Sequence, residues 1–216
     1  GDGNKHKRTG ILNDKMSSEK FYKFLYDACV NMLMATRGAF YICMSSSELH
    51  NMYKAFTDAG GHWQTYIIWA KDQFTLSRSD YQHQFEPIMH GLSEDVAMLA
   101  EKEAEPIMYG WNKHEWYGGR KQGDVWLVDR PKKSPEHPTM KPVELCGKAI
   151  VNSSKREGTV ADFFGGSGST LIACEGLNRS CYMMELEPLN VQVIIDRFEK
   201  QTGEKAVKLE VPVAQE

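Results

Sequence analysis

A strand that leads directly into a glycine-rich turn constrains this chain more than any other feature. Residues 159–170 read TVADFFGGSGST, a short apolar run, three glycines within four positions, and then small polar residues that can begin a helix. Glycine lets the backbone approach a ligand closely, and the N–H groups at a helix start favour an anion such as a carboxylate or phosphate. The pattern therefore predicts a strand, turn and helix with a ligand at the turn.

An acidic residue follows the next predicted strand. Glu185 stands twenty positions after Gly165, where a carboxylate can accept hydrogen bonds from both hydroxyls of a ribose. Dinucleotide-binding folds also have an acid there, but Leu171 occupies the position of their third glycine, and their fingerprint needs no acid where Asp162 stands. A nicotinamide cofactor is therefore the weaker alternative, and a structural turn without a ligand is another.

Helices and short apolar strands alternate along most of the chain. The apolar stripe of a first helix, capped by Ser17 or Ser18, has the spacing of one helix face. Further strands are predicted at 39–44, 64–69, 86–89, 159–164, 180–185 and 206–211, and further helices from 45–47 to near 60–61 and at 142–154, 169–177 and 188–201. Such alternation predicts an α/β fold with a mostly parallel, doubly wound sheet.

The interval 92–136 interrupts this alternation. Residues 93–104 have the composition of an acidic helix, and residues 111–133 mix aromatic, glycine and basic residues without a clear period. We interpret the interval as an insertion. The sequence EPIMHG at 86–91 recurs as EPIMYG at 105–110, which is a local duplication or a chance similarity between two short strands.

Composition limits the class of protein. The 216 residues carry a net charge of -3, which neither supports nor excludes a nucleic-acid partner. No apolar run is long enough for a membrane span and residues 1–10 are polar, so we expect a soluble, cytoplasmic protein. The five cysteines are scattered without a CxxC pair, and we expect no zinc site.

Several motifs together resemble one enzyme family. The sequences DFFGGSGSTLIACE at 162–175 and MELEP at 184–188 are similar to the cofactor motif of the adenine-N6 and cytosine-N4 DNA methyltransferases. HPTMKP at 137–142 resembles the HPTxKP motif that precedes the cofactor strand in the permuted beta group of that family. Residues 13–16, 68–71 and 78–88 also match that group in order and spacing, so the resemblance covers nearly the whole chain apart from 92 to about 110.

The resemblance implies a three-layer Rossmann-like methyltransferase fold over residues 1–216, with S-adenosylmethionine held by the half at 137–216. Asp162 and the backbone of 164–169 would hold the methionine part, Glu185 the ribose, and Thr139 with Lys141 the carboxylate. The full set of expected cofactor-binding residues is Asn13, Asp14, His137, Thr139, Lys141, Asp162, Phe163, Phe164, Gly165, Gly166, Ser167, Gly168, Ser169, Thr170, Glu185 and Leu186.

Double-stranded DNA is the expected partner. Between residues 112 and 141 seven basic residues stand against four acidic ones, with aromatic side chains among them that can stack or wedge. The resemblance makes 92–136 the target-recognition region, whereas a solvated basic loop is the alternative. The expected DNA contacts are Lys113, Trp116, Arg120, Lys121, Arg130, Lys132 and Lys133.

The catalytic tetrapeptide of the resembled family has an Asp, Asn or Ser, two prolines and an aromatic residue, and no Pro-Pro pair occurs in this sequence. We therefore assign no catalytic residue within these 216 residues. We expect an upstream segment or a second polypeptide to supply the motif and a central strand between 159–164 and 39–44. Methyl transfer to the exocyclic amine of a flipped base, adenine N6 before cytosine N4, is then expected in restriction-modification. An inactive cofactor- or DNA-binding subunit is the alternative, and a homodimer is left open.

Overall fold

A computed structural model of the chain describes residues 16–71, 103–111, 116–119, 122–129 and 140–209. Five α-helices and six strands occur in these residues, together with a 3₁₀ helix at Ser46–Glu48. The helices are α1 (Ser18–Ala35), α2 (Leu49–Asp58), α3 (Val143–Ser153), α4 (Ser169–Gly176) and α5 (Pro188–Thr202). The strands are β1 (Ala39–Cys43), β2 (His62–Lys71), β3 (Glu103–Trp111), β4 (Val125–Leu127), β5 (Thr159–Asp162) and β6 (Ser180–Met183).

The strands form two hydrogen-bonded groups. Four of them make a sheet in the order β1-β3-β2-β4, and β5 pairs with β6 in parallel. β4 is parallel to β2, whereas β3 runs antiparallel to both of its neighbours. The fold is Rossmann-like α/β, as the alternation predicts, but the described strand pairs are evenly divided between parallel and antiparallel. Both antiparallel pairs involve β3, which lies in the interval predicted to be an insertion.

α1 and α2 cover one face of the four-stranded sheet. The Ser17 hydroxyl accepts a hydrogen bond from the Lys20 N–H at 3.4 Å, which confirms the predicted cap. The predicted stripe is buried at Leu25, Cys29 and Met32. These residues pack with residues of α2 and β1 in a first core, where the rings of Phe40 and Phe56 meet edge to face at 5.6 Å.

α3 covers the sheet through a second core. Trp69 of β2 and Trp126 of β4 are almost wholly buried there with Leu145 of α3. The Trp69 indole N–H donates to the Val128 carbonyl oxygen at 2.7 Å, so its polar atom is satisfied inside the protein. A third core joins α3 and α4 to β5 and β6 through Ile150, Ala173 and Cys174. α3 therefore links the two groups of strands.

Several predicted elements need correction. The serines at 45–47 do not cap α2, because residues 46–48 form the 3₁₀ helix and Glu48 is the N-cap without a side-chain hydrogen bond. The helix predicted at 93–104 is wrong at 103–104, which belong to β3, and its other residues lie outside the described part. Residues 206–209 are not a strand, contrary to prediction: the Ala206 N–H donates to the Glu199 carboxylate instead of to a sheet.

The interval 92–136 contributes two strands to the sheet. β3 lies between β1 and β2 and contains the second copy of the repeated sequence, while β4 extends the sheet beyond β2. The first copy and the strand predicted at 86–89 lie outside the described residues. Among the described residues, no helix is long and apolar enough to cross a membrane, and no cluster of three potential metal ligands is found.

Candidate functional site

The glycine-rich turn continues the pairing of β5 with β6. The Asp162 carbonyl oxygen accepts from the Met184 N–H at 2.8 Å, and the Met184 carbonyl oxygen accepts from the Gly165 N–H at 2.8 Å. The Asp162 carboxylate accepts from the Phe164 N–H at 3.0 Å, a local hydrogen bond typical of aspartate in turns. The turn is therefore fixed at its start by main-chain and side-chain hydrogen bonds.

Two glycines of the turn are required for different reasons. A Cβ atom at Gly165 would lie 2.6 Å from the Met183 side chain and 3.1 Å from the Met184 carbonyl oxygen. Gly168 has a φ of 80°, a conformation that other residues rarely adopt, and its N–H donates to the Gly165 carbonyl oxygen at 2.8 Å. Gly165 is therefore required because a side chain has no space there, and Gly168 because of its backbone conformation.

The N-terminus of α4 carries no side-chain cap. Gly168 is the N-cap and has no side chain, and the Ser169 hydroxyl donates to the Lys141 carbonyl oxygen at 2.7 Å. The first N–H groups of an α-helix have no acceptor within the helix and carry partial positive charge. This helix end can therefore receive a negatively charged group.

Glu185 lies directly against the turn. One carboxylate oxygen, Oε2, accepts from the Gly166 N–H at 2.7 Å, and the other, Oε1, accepts from the Glu187 N–H at 2.9 Å and from the Asn190 amide at 3.3 Å. A carboxylate offers about four acceptor positions, so it can take further donors. The spacing that singled out Glu185 in the sequence therefore corresponds to direct contact with the glycine turn.

Large apolar side chains flank the turn. Phe164 and Leu186 are 62% and 74% exposed, next to the glycines and to Glu185 respectively. The Phe164 ring lies edge to face with Phe24 of α1 at 6.4 Å, and Phe163 packs against the first core. The turn therefore presents apolar surface to a ligand while its aromatic residues tie it to α1.

Lys141 is the one residue of the predicted HPTMKP motif that belongs both to the expected site and to the described residues. Its backbone contacts the start of α4 through Ser169, whereas its ammonium lies 5.6 Å from the centre of the Trp69 ring. Asn13, Asp14, His137 and Thr139 lie outside the described residues. The other described members of the predicted cofactor set lie between the end of β5 and the start of α4, from Asp162 to Thr170, and just after β6, at Glu185 and Leu186.

Comparison with known protein families decides the assignment. The model of the N6/N4 methyltransferase family, described as DNA methylase, matches residues 4–196. The chain belongs to this DNA methylase family. The match includes the glycine turn and Glu185, so it covers the residues that the geometry brings together.

Curated relatives are type II methyltransferases. This DNA methylase chain is 23% identical over 202 residues to the type II methyltransferase M.HpaI of Haemophilus parainfluenzae, covering 89% of this chain and 64% of that protein. It is 28% identical over 164 residues to M2.LlaDCHI of Lactococcus lactis subsp. cremoris, covering 72% of this chain and 59% of that protein. The chain thus spans about three fifths of the length of these relatives.

Solved structures of other proteins share the fold of this chain. The complex of M1.HpyAVI with S-adenosylmethionine has a TM-score of 0.61 at 19% identity, covering 83% of this chain and 84% of that one. The cytosine-N4-specific PvuII DNA methyltransferase has a TM-score of 0.66 at 13% identity, covering 88% of this chain and 76% of that one. At these identities the comparison shows the Rossmann-like fold.

Among the predicted DNA contacts of this DNA methylase chain, Trp116 belongs to the described residues. Its ring packs against the second core and its indole N–H donates to the Gly119 carbonyl oxygen at 2.8 Å. The neighbouring Tyr117 N–H donates to the carbonyl oxygen of Asn152, near the C-terminal end of α3. The other end of α3 follows Lys141, whose carbonyl oxygen accepts from the Ser169 hydroxyl, and the 11 residues of this helix span about 16 Å. A DNA contact by Trp116 stays a prediction.

The other predicted DNA contacts lie outside the described residues, and they fall into two groups in the sequence. One group precedes β4 and the other follows it. The first group is Lys113, Arg120 and Lys121, and the second is Arg130, Lys132 and Lys133.

Sequence reasoning missed a contact from α5 to the turn. The Arg197 guanidinium donates to the Ser167 carbonyl oxygen, and Ser167 itself is 5% exposed. An arginine in an amphipathic helix is usually solvated, so composition gave no reason to select it. Asn190, seven residues earlier in the same helix, contacts Glu185, but this spacing becomes informative only once that contact is known.

The thiol beside the turn is not activated. The Cys146 sulfur lies 3.8 Å from the Thr170 hydroxyl of α4, and burial raises the pKa of this thiol to about 12. A cysteine nucleophile reacts as the thiolate. The site is therefore suited to binding and orienting a ligand rather than to forming an adduct with Cys146.

Proposed function

We propose that this chain binds S-adenosylmethionine at the glycine turn and forms the cofactor-binding part of a site-specific DNA methyltransferase. The observation that carries the proposal is the Glu185 carboxylate held on the Gly166 N–H beside the uncapped start of α4. Family membership and the complex of M1.HpyAVI with S-adenosylmethionine support it. The proposed product is a methylated exocyclic amine, with adenine N6 favoured over cytosine N4.

The residues of the site fit the chemistry of this cofactor. Glu185 would accept from the ribose hydroxyls, and the start of α4 would receive the carboxylate of the methionine part with Lys141 and Thr139. Asp162 would hold the ammonium of the same part. The exposed side chains of Phe164 and Leu186 would contact the flat adenine ring.

The chain's contribution to the reaction is alignment. S-adenosylmethionine supplies an electrophilic methyl group, and the attacking amine of the base is neutral. Such a transfer depends mainly on the placement of the two reactants and of nearby charges. Asp162, Glu185 and the backbone of the turn would fix the position of the cofactor, while the neutral Cys146 thiol takes no part.

We further propose that a segment outside these 216 residues supplies the Pro-Pro motif on a strand between β1 and β5. Among the described residues, β1 is hydrogen-bonded to β3 on one edge and β5 to β6 on one edge. Each therefore has an edge without a described partner strand. Backbone groups at such edges need partners when they are buried. A strand inserted there would also bring its catalytic end to the C-terminal end of β5, next to the glycine turn.

Double-stranded DNA is the proposed substrate, with the base flipped out of the duplex. The surplus of basic residues between 112 and 141 supports this, and each lost phosphate contact should reduce the salt dependence of binding by about one unit of slope. Substitution of Arg120, Lys121, Lys132 and Lys133 by alanine should therefore weaken DNA binding and reduce its dependence on salt concentration. An unchanged affinity and slope would move the DNA surface elsewhere.

Nucleoside mass spectrometry tests the proposed reaction. The full-length gene product, or this chain with the polypeptide that carries the Pro-Pro motif, is incubated with DNA and S-adenosylmethionine. We expect N6-methyladenine from the native protein and about tenfold less at limiting cofactor from Glu185→Ala. N4-methylcytosine would correct the target base. No methylated base from a protein that binds both ligands would favour the inactive-subunit alternative.

A further inference from the structure

One face of α5 contacts three different parts of the candidate site. Asn190, Ile194 and Arg197 are separated by four and three positions, so they lie on the same side of the helix. Asn190 donates to the Glu185 carboxylate, and Ile194 lies where a Cβ atom at Gly168 would approach it to 3.1 Å. Arg197 donates to the Ser167 carbonyl oxygen. The helix therefore supports the turn from behind.

The Arg197 contact fixes a peptide unit that has little intrinsic stiffness. Gly166 and Gly168, on either side of Ser167, both have positive φ values of 55° and 80°. Glycine accepts positive and negative φ with similar ease. Rotation of the peptide between Ser167 and Gly168 changes the φ of Gly168, and glycine tolerates that change at little steric cost.

Hydrogen bonds at both ends of that peptide select one orientation. On one side the Ser167 carbonyl oxygen accepts from Arg197, and on the other the Gly168 N–H donates to the Gly165 carbonyl oxygen at 2.8 Å. A rotated peptide would lose both hydrogen bonds and leave the buried Ser167 carbonyl without its charged donor. The peptide immediately precedes the N–H groups that begin α4.

We propose that Arg197 is a positioning residue for the cofactor site. Its guanidinium holds the Ser167–Gly168 peptide so that the N–H groups at the start of α4 face the ligand. This inference rests on the proposed function, because it assigns Arg197 a role in the affinity for the cofactor. It concerns a residue of α5 that lies outside the glycine motif and outside the acidic position after β6.

Titration calorimetry with S-adenosylhomocysteine tests the proposal on the intact protein. Arg197→Met keeps the apolar length of the side chain and removes the donor, and should raise the dissociation constant about tenfold. Arg197→Lys keeps the charge and an N–H donor, and should bind with an affinity between those of the native protein and Arg197→Met. Lys200→Met, at an exposed position of the same helix, is the matched control and should bind like the native protein.

The melting temperature is measured on the same samples. A purely structural role of Arg197 would lower the melting temperature but would leave unchanged the dissociation constant measured at much lower temperature. Equal dissociation constants for Arg197→Met and Lys200→Met would overturn the inference. The proposed function would still stand with that result, provided that the native protein binds S-adenosylhomocysteine and Glu185→Ala binds it more weakly. A native protein without affinity for S-adenosylhomocysteine would instead contradict the proposed function. If Arg197→Met does not fold, Arg197→Leu, which also lacks a donor, replaces it with the same expected result.

Discussion

The four-stranded sheet and the β5–β6 pair are supported in different ways. Large aromatic side chains fill the cores against the four-stranded sheet, and Phe40, Phe56, Trp69 and Trp126 are all at most 6% exposed. β5 and β6 have no fully buried residue, and exposed residues alternate with half-buried ones along both. The glycine turn after β5 is instead fixed by polar contacts. Packing therefore provides the scaffold, and hydrogen bonds provide the geometry of the site.

The β5–β6 pair depends on its surroundings. Val160 and Cys181 pack towards α3 and α4, while Ala161 and the 71% exposed Tyr182 lie on the other face. A pair of strands is marginally stable by itself in water and needs further packing. Its ties to the rest of the protein include α3, Phe163, which reaches the first core, and the Phe164 ring, which contacts Phe24 of α1. Substitutions in the scaffold should therefore act mainly on the free energy of unfolding, whereas substitutions in the turn should also weaken cofactor binding.

The largest expected effect is on the scaffold. Trp126→Ala removes a side chain that is 1% exposed and should lower the free energy of unfolding by about 3–5 kcal/mol. Denaturant titration measures the change, and Leu127→Ala at a 63% exposed neighbour should change it by less than about 0.5 kcal/mol. If both variants were equally stable, Trp126 would not belong to a packed core.

Glycine-to-alanine substitutions at the two ends of α4 should have smaller effects on stability, and these effects should be of opposite sign. Gly168→Ala forces a side chain into a positive φ next to Ile194 and should cost about 1–2 kcal/mol while weakening cofactor binding. Gly176→Ala, in the last turn of the same helix with open space around it, should stabilise by about 0.4–1 kcal/mol. Thermal unfolding of both variants checks this pair. The same sign for both would contradict the conformation of the turn.

The smallest expected effect concerns pH. Burial raises the pKa of the Cys29 thiol to about 12, whereas an unfolded cysteine ionises near 8.5. The contribution of this neutral thiol to stability is complete below about pH 8.5 and is lost as the pH rises towards 12. The free energy of unfolding should therefore fall by about 0.7 kcal/mol between pH 8 and pH 9 because of this thiol. Unfolding free energies at both values should show this loss in the native protein and a correspondingly weaker pH dependence in Cys29→Ala.

The sequence was most informative where a local pattern determines structure. The stripe of α1 and the serine before it predict the helix and its cap, because helix periodicity and capping are local properties. The glycine turn and Glu185 are also predictable, since the order of strand, turn and helix places the acid beside the turn.

Tertiary contacts account for what the sequence did not predict. Residues 101–105 read EKEAE and favour a helix by composition, yet 103–104 pair with β2 in the sheet, because tertiary pairing overrides helix propensity. Strand patterns also do not specify a neighbour, so the antiparallel insertion of β3 was missed. The role of Arg197 depends on a contact across thirty positions, which no local pattern contains.

Calorimetric titration of S-adenosylmethionine into the native protein, Asp162→Ala and Glu185→Ala tests the central claim most directly. The claim is that the turn after β5 and the acid after β6 form one cofactor site. We expect binding by the native protein and a loss of about 1.5–3 kcal/mol of binding free energy in each variant, because each removes hydrogen bonds to a charged group. Equal affinity in all three proteins, or preferential binding of a nicotinamide cofactor by the native protein, would contradict the account.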